Sequence, residues 1–144
     1  MHNILFVCTA NIFRSRFAEE VFNFLAIKEK IPARAFSAGL KVGEYHIRTT
    51  YRPALEQLDK LNIKPKRPKE LSLHINEVQL TMYDQLICMD EAEHKPMVQS
   101  NSRLKEFNFE YWDIIDEPKV QSDVSLPLCY KKVKELVADL KNKT

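Results

Sequence analysis

The chain has no excess of either charge, no apolar run long enough to cross a bilayer, and too few cysteines for a disulfide framework. Its 22 Lys and Arg against 20 Asp and Glu leave a formal net charge of +2, too small to mark nucleic acid as the partner. The missing apolar run excludes a helical membrane span and leaves no reason to expect a membrane partner. Three cysteines are an odd count at spacings unlike a disulfide scaffold, which fits a reducing compartment. The first residues enter an apolar strand pattern without the basic, apolar and cleavage regions of a secretory leader, so a cytoplasmic location is expected. Internal repeats, low-complexity tracts and linker-like stretches are also missing. A chain of 144 residues with none of these reads as one domain, residues 1–144. It is large enough to bury about two-thirds of its unfolded surface without a metal or disulfide staple. No cofactor is expected and no metal, since His46, His74 and His94 lack ligand spacing.

What is present is an alternation. Apolar segments with strand character at residues 3–7, 34–37, 85–89 and 109–115 are interleaved with helical spacing at 17–25, 51–61 and 125–140. The helical faces are Phe17, Ala18, Val21, Phe22 and Leu25, then Ala54, Leu55, Leu58 and Leu61, then Cys129, Val133, Leu136 and Leu140. Short buried strands alternating with helices predict an α/β fold of three layers, a four-stranded parallel sheet with helices on both faces. Cys88, inside the third strand, and Cys129, on the inward face of the last helix, read as core. The run at 64–69, with two prolines and four basic residues, reads as a solvated surface loop, with a docking surface for an acidic phosphoprotein or a nuclear address as the minor alternatives.

Ligands of such sheets bind beyond the carboxyl ends of strands, and Cys8 lies at one such end. The segment Cys8-Thr9-Ala10-Asn11-Ile12-Phe13-Arg14-Ser15 joins the first strand to the first helix. There, the backbone N–H groups of Thr9 to Ser15 can converge on an anion. A free cysteine has a pKa of ~8.5; a helix N-terminus and a neighbouring arginine lower it and make a thiolate nucleophile at neutral pH. Arg14 presents a planar fork that engages two phosphoryl oxygens at once. Ser15 is expected to donate to the thiolate and to cap the helix, and Asn11 to take a positive φ. Nucleophile and transition-state clamp thus lie within eight residues, in keeping with phosphoryl transfer by positioning and electrostatics.

These residues resemble the low-molecular-weight protein tyrosine phosphatases, whose loop reads C-x-G-N-x-C-R-S-P. Ser37-Ala38-Gly39 is similar to the family's S-A-G after strand two, Asp84-Gln85-Leu86-Ile87-Cys88-Met89-Asp90 to its D-x-I-L-C-M-D strand, and Ile114-Ile115-Asp116-Glu117-Pro118 to its D-P loop. The resemblance implies a phosphate-binding loop after strand one and a cysteinyl-phosphate intermediate. It also implies a general acid in the D-P loop and a phosphorylated protein or small aryl phosphate as substrate, with the chain acting as a monomer or weak dimer. Asp116 is the preferred acid, with Glu117 as the alternative. The pocket wall is assigned to Tyr45, with His46 nearby. Three departures stand out. Ala10 replaces a loop glycine. Phe13 replaces the second loop cysteine, which removes a protective disulfide partner and leaves Cys8 open to irreversible oxidation. Arg16 replaces proline and is expected to add a cation at the pocket mouth, biasing the site toward acidic substrates.

Two other functions remain compatible with the sequence. A phosphate-binding module with weak or no turnover would explain the departures. Thiol-dependent arsenate reduction would need a cysteine relay; Cys88 lies where one relay cysteine would be, but Lys95 stands near the place of a second.

Overall fold

β1 (His2–Cys8) is buried from Ile4 to Cys8 and forms the spine of the molecule. The structure is a computed structural model that describes residues 1–44 and 46–143. β1 pairs in parallel with β2 (Ala33–Gly39) on one side and β3 (Gln85–Cys88) on the other. β4 (Glu110–Tyr111) joins β3, also in parallel, giving the order β2-β1-β3-β4. Parallel neighbours need crossover connections. These are α1 (Arg14–Lys28), α2 (Arg52–Lys60) and α3 (Glu91–Gln99), and α4 (Ser122–Asn142) follows the last strand.

Period-two alternation along β1 divides the core. Ile4, Phe6 and Cys8 enter one apolar cluster with Phe17, Val21 and Phe22 of α1, Leu58 of α2, and Cys129, Val133 and Val137 of α4. Leu5 and Val7 enter the other with Cys88, Val98 of α3 and Leu104. The sheet is therefore covered on both faces, as the strand–helix alternation predicts. Cys8 and Cys88 contribute to opposite faces. Cys88 and Cys129 are both fully buried.

Three elements depart from the sequence reading. The strand expected over 109–115 shrinks to Glu110–Tyr111, since the chain turns from β3 into α3 at Asp90 and pairing beyond Cys88 is reduced to an isolated bridge between Asp90 and Asp113. Trp112 and Ile114 still donate their N–H groups to Cys88 O at 2.9 Å and Met89 O at 2.7 Å. α3 itself has no counterpart in the reading; it buries only His94 and Val98 and contains Pro96, so its apolar period is sparse. The basic run at 64–69 is tied down rather than wholly solvated. Glu19, buried on α1, accepts from Arg67 Nε at 2.7 Å, and Glu20 accepts from the N–H groups of Lys66 and Arg67 at 2.9 and 2.8 Å. Lys64, Lys66 and Lys69 stay exposed.

Candidate active site

The loop between β1 and α1 turns its carbonyl oxygens outward. Cys8 O accepts from Leu40 N–H at 2.9 Å, Thr9 O from Lys41 N–H at 2.8 Å, Ile12 O from Tyr51 N–H at 2.7 Å and Phe13 O from Phe17 N–H at 2.9 Å. Asn11 O accepts from Arg16 Nε at 3.0 Å. With the carbonyls engaged on the outside, the peptide N–H groups are left for the inside. Among the described residues those of 9–13 donate to no protein acceptor. Asn11 supplies the reversal of direction with φ of 58°. Gly39 makes the close approach possible, since a Cβ there would lie 2.7 Å from Thr9 O. α1 begins at Arg14 with no side-chain cap. Ser15 is engaged elsewhere, so the capping role expected of it is not observed.

Ser15 Oγ lies 2.9 Å from Cys8 Sγ, and it accepts from Asn11 Nδ2 at 2.9 Å. Asn11 Oδ1 accepts in turn from Leu73 N–H at 3.0 Å, which fixes the orientation of the amide. The chain of donors therefore runs inward, from Leu73 through Asn11 to Ser15, and the Ser15 hydroxyl proton is left for the sulfur. Cys8, Asn11, Arg14 and Ser15 are each at most 2 % exposed, so this direction is imposed without competition from water.

Arg14 is held by carboxylates and a carbonyl. Nη1 and Nη2 meet Glu93 Oε1 and Oε2 at 3.0 Å each, Nη1 donates to Ile114 O at 2.9 Å, and Asp116 Oδ2 is 3.4 Å from Nη2. Burial works to lower the guanidinium pKa, but the charges of Cys8, Glu93 and Asp116 prevail and hold it above its usual value. Glu93 also accepts from the Thr9 hydroxyl. His94 Nδ1 accepts from Asp90 N–H at 3.1 Å, which assigns the ring proton to Nε2. That atom is 3.1 Å from Thr9 Oγ1 and 3.3 Å from Glu93 Oε2. Burial pushes the Glu93 carboxyl upward; the bonds from His94, Arg14 and Thr9 outweigh it and hold the group well below the usual carboxylate range. Asp116 moves the opposite way. Burial raises its carboxyl, Arg14 opposes this, and the charges of Glu93 and Glu117 add to the rise.

Above the loop lies a pocket of about 330 Å³. Cys8, Thr9, Ala10 and Arg14 line its floor, Ile12, Phe13, Ile47 and Tyr51 an apolar wall, and His46, Asp116 and Glu117 the remainder. Phe13 and Tyr51 stack edge-on with centroids 5.6 Å apart. Both D-P loop carboxyls thus reach the pocket, but Glu117 Oε2 also accepts from Ser122 N–H at 3.3 Å, at the start of α4. Arg16 corrects the sequence reading. It is 2 % exposed, lies outside the pocket lining, and donates to Asn11 O, Arg67 O and Glu70 O. It is a buried clamp on the outside of the loop, not a cation at the mouth, and the expected bias toward acidic substrates loses its basis. Tyr45, assigned to the wall, lies outside the described residues. Tyr51 and Ile47 were not singled out as wall residues in the sequence; Tyr51 read only as a helix start. Glu93 was missed because nothing distinguishes it from Asp90 and Glu91 beside it, or marks it as facing an arginine 79 residues earlier.

Fold and site define an α/β protein that carries a cysteine–arginine loop at the carboxyl end of its first strand. The model of the low molecular weight phosphotyrosine protein phosphatase family matches residues 3–143. The chain belongs to that family. Among solved structures it is similar to YfkJ from Bacillus subtilis, with 26% identity, a TM-score of 0.83, and coverage of 100% of this chain and 97% of that one. It is also similar to a low molecular weight protein tyrosine phosphatase from T. tengcongensis (25%, TM-score 0.68, 99% and 97% covered). An arsenate reductase from Archaeoglobus fulgidus shares the fold at 23% identity and a TM-score of 0.69, with 94% and 98% covered. The YwlE arginine phosphatase shares it at 21%. No curated protein sequence matches the chain.

Proposed function

We propose that residues 1–144 act as one metal-independent phosphomonoesterase domain, hydrolysing phosphotyrosine in proteins or small aryl phosphates through a cysteinyl-phosphate intermediate. The observation that carries this reading is the loop with its carbonyls turned outward. It leaves unpaired N–H groups around Cys8 in the same pocket as Arg14 and Asp116. In the first step Cys8 Sγ attacks phosphorus in line. The P–O bond to the aryl group breaks, and Asp116 gives its proton to the leaving oxygen. In the second step water attacks the thiophosphate. Asp116, now a carboxylate, takes the water proton, and inorganic phosphate and the thiolate are released. Arg14 and the loop N–H groups of 9–15 stabilise the charge on the equatorial oxygens in both steps. A carboxyl kept above its usual pKa suits the acid role. Glu117, the sequence alternative, has its carboxylate turned to the start of α4.

The wall of Ile12, Phe13, Ile47 and Tyr51 favours a flat apolar leaving group over a charged one. Arsenate reduction gains no support. Cys88 contributes to the opposite face of the sheet from Cys8, and burial pushes the Cys129 thiol up to about 12. Both sulfurs are fully buried. A reducing, cytoplasmic setting belongs to this reading, since Cys8 must remain reduced. Hydrolysis of p-nitrophenyl phosphate tests it: turnover by the wild type and none by Cys8→Ser is the expected result. Phosphate binding without any turnover would instead make the chain a binding module.

A further inference from the structure

Arg14 has five N–H bonds, and the protein already draws on both of its Nη groups. Nη1 serves Ile114 O and Glu93 Oε1; Nη2 serves Glu93 Oε2 and the 3.4 Å contact with Asp116. Among the described residues Nε–H meets no acceptor. Both carboxylate oxygens of Glu93 lie 3.0 Å from an Nη group, one of them accepting a charge-assisted hydrogen bond. A phosphoryl dianion arriving at the loop therefore meets an arginine whose charge is already matched. The same carboxylate also holds Thr9, the residue directly after Cys8, and is backed by His94 Nε2. One side chain from the first turn of α3 thus grips the loop at both ends.

We propose that Glu93 is a positioning residue of the phosphate site, locking Arg14 and Thr9 in reactive geometry while its charge loosens the hold on bound phosphate. The proposal rests on the phosphatase reading and extends it to product release. Binding that is equally strong before and after the transition state does not raise turnover. An unopposed guanidinium among inward N–H dipoles would retain inorganic phosphate; an adjacent fixed negative charge weakens that retention. Orientation works in the other direction, because a guanidinium free to rotate loses reactive alignment. Removing the charge while keeping the shape should therefore move chemistry and product affinity in opposite directions, which a role in folding alone would not do.

The test uses the full chain, with kcat measured on phenyl phosphate and Kd for inorganic phosphate measured by calorimetry. Glu93→Gln is expected to lower kcat about tenfold or more and to tighten phosphate binding about threefold or more. Glu93→Asp keeps the charge but shortens the reach; it should lower kcat and leave the phosphate Kd within about twofold of the wild type. A folded Glu93→Gln protein whose phosphate Kd is unchanged or weaker overturns the proposal. If Glu93→Gln does not fold, Glu93→Asp decides, and wild-type kcat there overturns it equally. Should the wild type hydrolyse no aryl phosphate, the phosphatase reading fails, and the calorimetric comparison alone decides the role of Glu93.

Discussion

At the scale of single residues, Asp116 and Glu117 are adjacent carboxyls with different contacts. Asp116 contacts Arg14 and is raised above the usual aspartate value, so it stays protonated to a higher pH than an ordinary aspartate would. As general acid it should give kcat/KM a limb that falls as pH rises through that raised value. Asp116→Asn should abolish the limb and reduce kcat on phenyl phosphate about 10²- to 10³-fold. The loss should be smaller on p-nitrophenyl phosphate, whose leaving group needs little help. In the proposed mechanism general-acid assistance runs through Asp116, so Glu117→Gln should change kcat by no more than about threefold. Arg16 belongs to the same scale. Its substitution by Leu leaves the carbonyls of Asn11, Arg67 and Glu70 without their donor, at about 1–3 kcal/mol for each one left buried and unpaired. Urea unfolding should show the loss, and activity should fall by the same factor on acidic and on neutral phosphopeptides.

Among the elements, β1 was the most legible, because Ile4-Leu5-Phe6-Val7 is an apolar run bounded by a polar start and a loop. α1, α2 and α4 were legible through their apolar spacing; α1 and α4 run beyond the expected stretch at both ends, while α2 lies within it. α3 was not. Its inward face carries a histidine, which bonds to Asp90 and Thr9, and only Val98 is a buried apolar residue of the helix. Cys8, Asn11, Arg14 and Ser15 could be singled out because they are close in sequence. Glu93, Tyr51 and Ile47 reach the site only through the crossovers, and no local pattern announces them. β2 brings its own constraint, because Gly39 sits against Thr9 O with no room for a methyl group. Gly39→Ala must push the loop or the strand end apart. We expect a melting temperature lower by several degrees, as for a loss of about 1–3 kcal/mol from overpacking. Activity should drop by more than that stability loss explains.

For the whole molecule, stability should depend on acidity through the site. The folded-state Glu93 carboxyl lies below its unfolded value of 4.5. The unfolded chain therefore takes up this proton first as pH falls, and the stabilisation present above about 4.5 is progressively lost below it. Asp116 works in the opposite sense. Its folded-state carboxyl is raised, so the folded chain binds that proton first and gains on the way down to the ordinary aspartate range. Urea midpoints recorded from about pH 6 to about pH 3 should fall for the wild type, with a flatter profile for Glu93→Gln below about 4.5.

The outward carbonyls of Cys8, Thr9, Ile12 and Asn11 bond to Leu40, Lys41, Tyr51 and Arg16, and the Asn11 side chain to Leu73. The motif is consequently not a portable cassette. Grafted after a strand of another parallel sheet, the same eight letters would lack the hosts for those oxygens, and peptide planes would be free to flip. Anyone transplanting this chemistry would have to carry across the connections after β2 and the start of α2 as well.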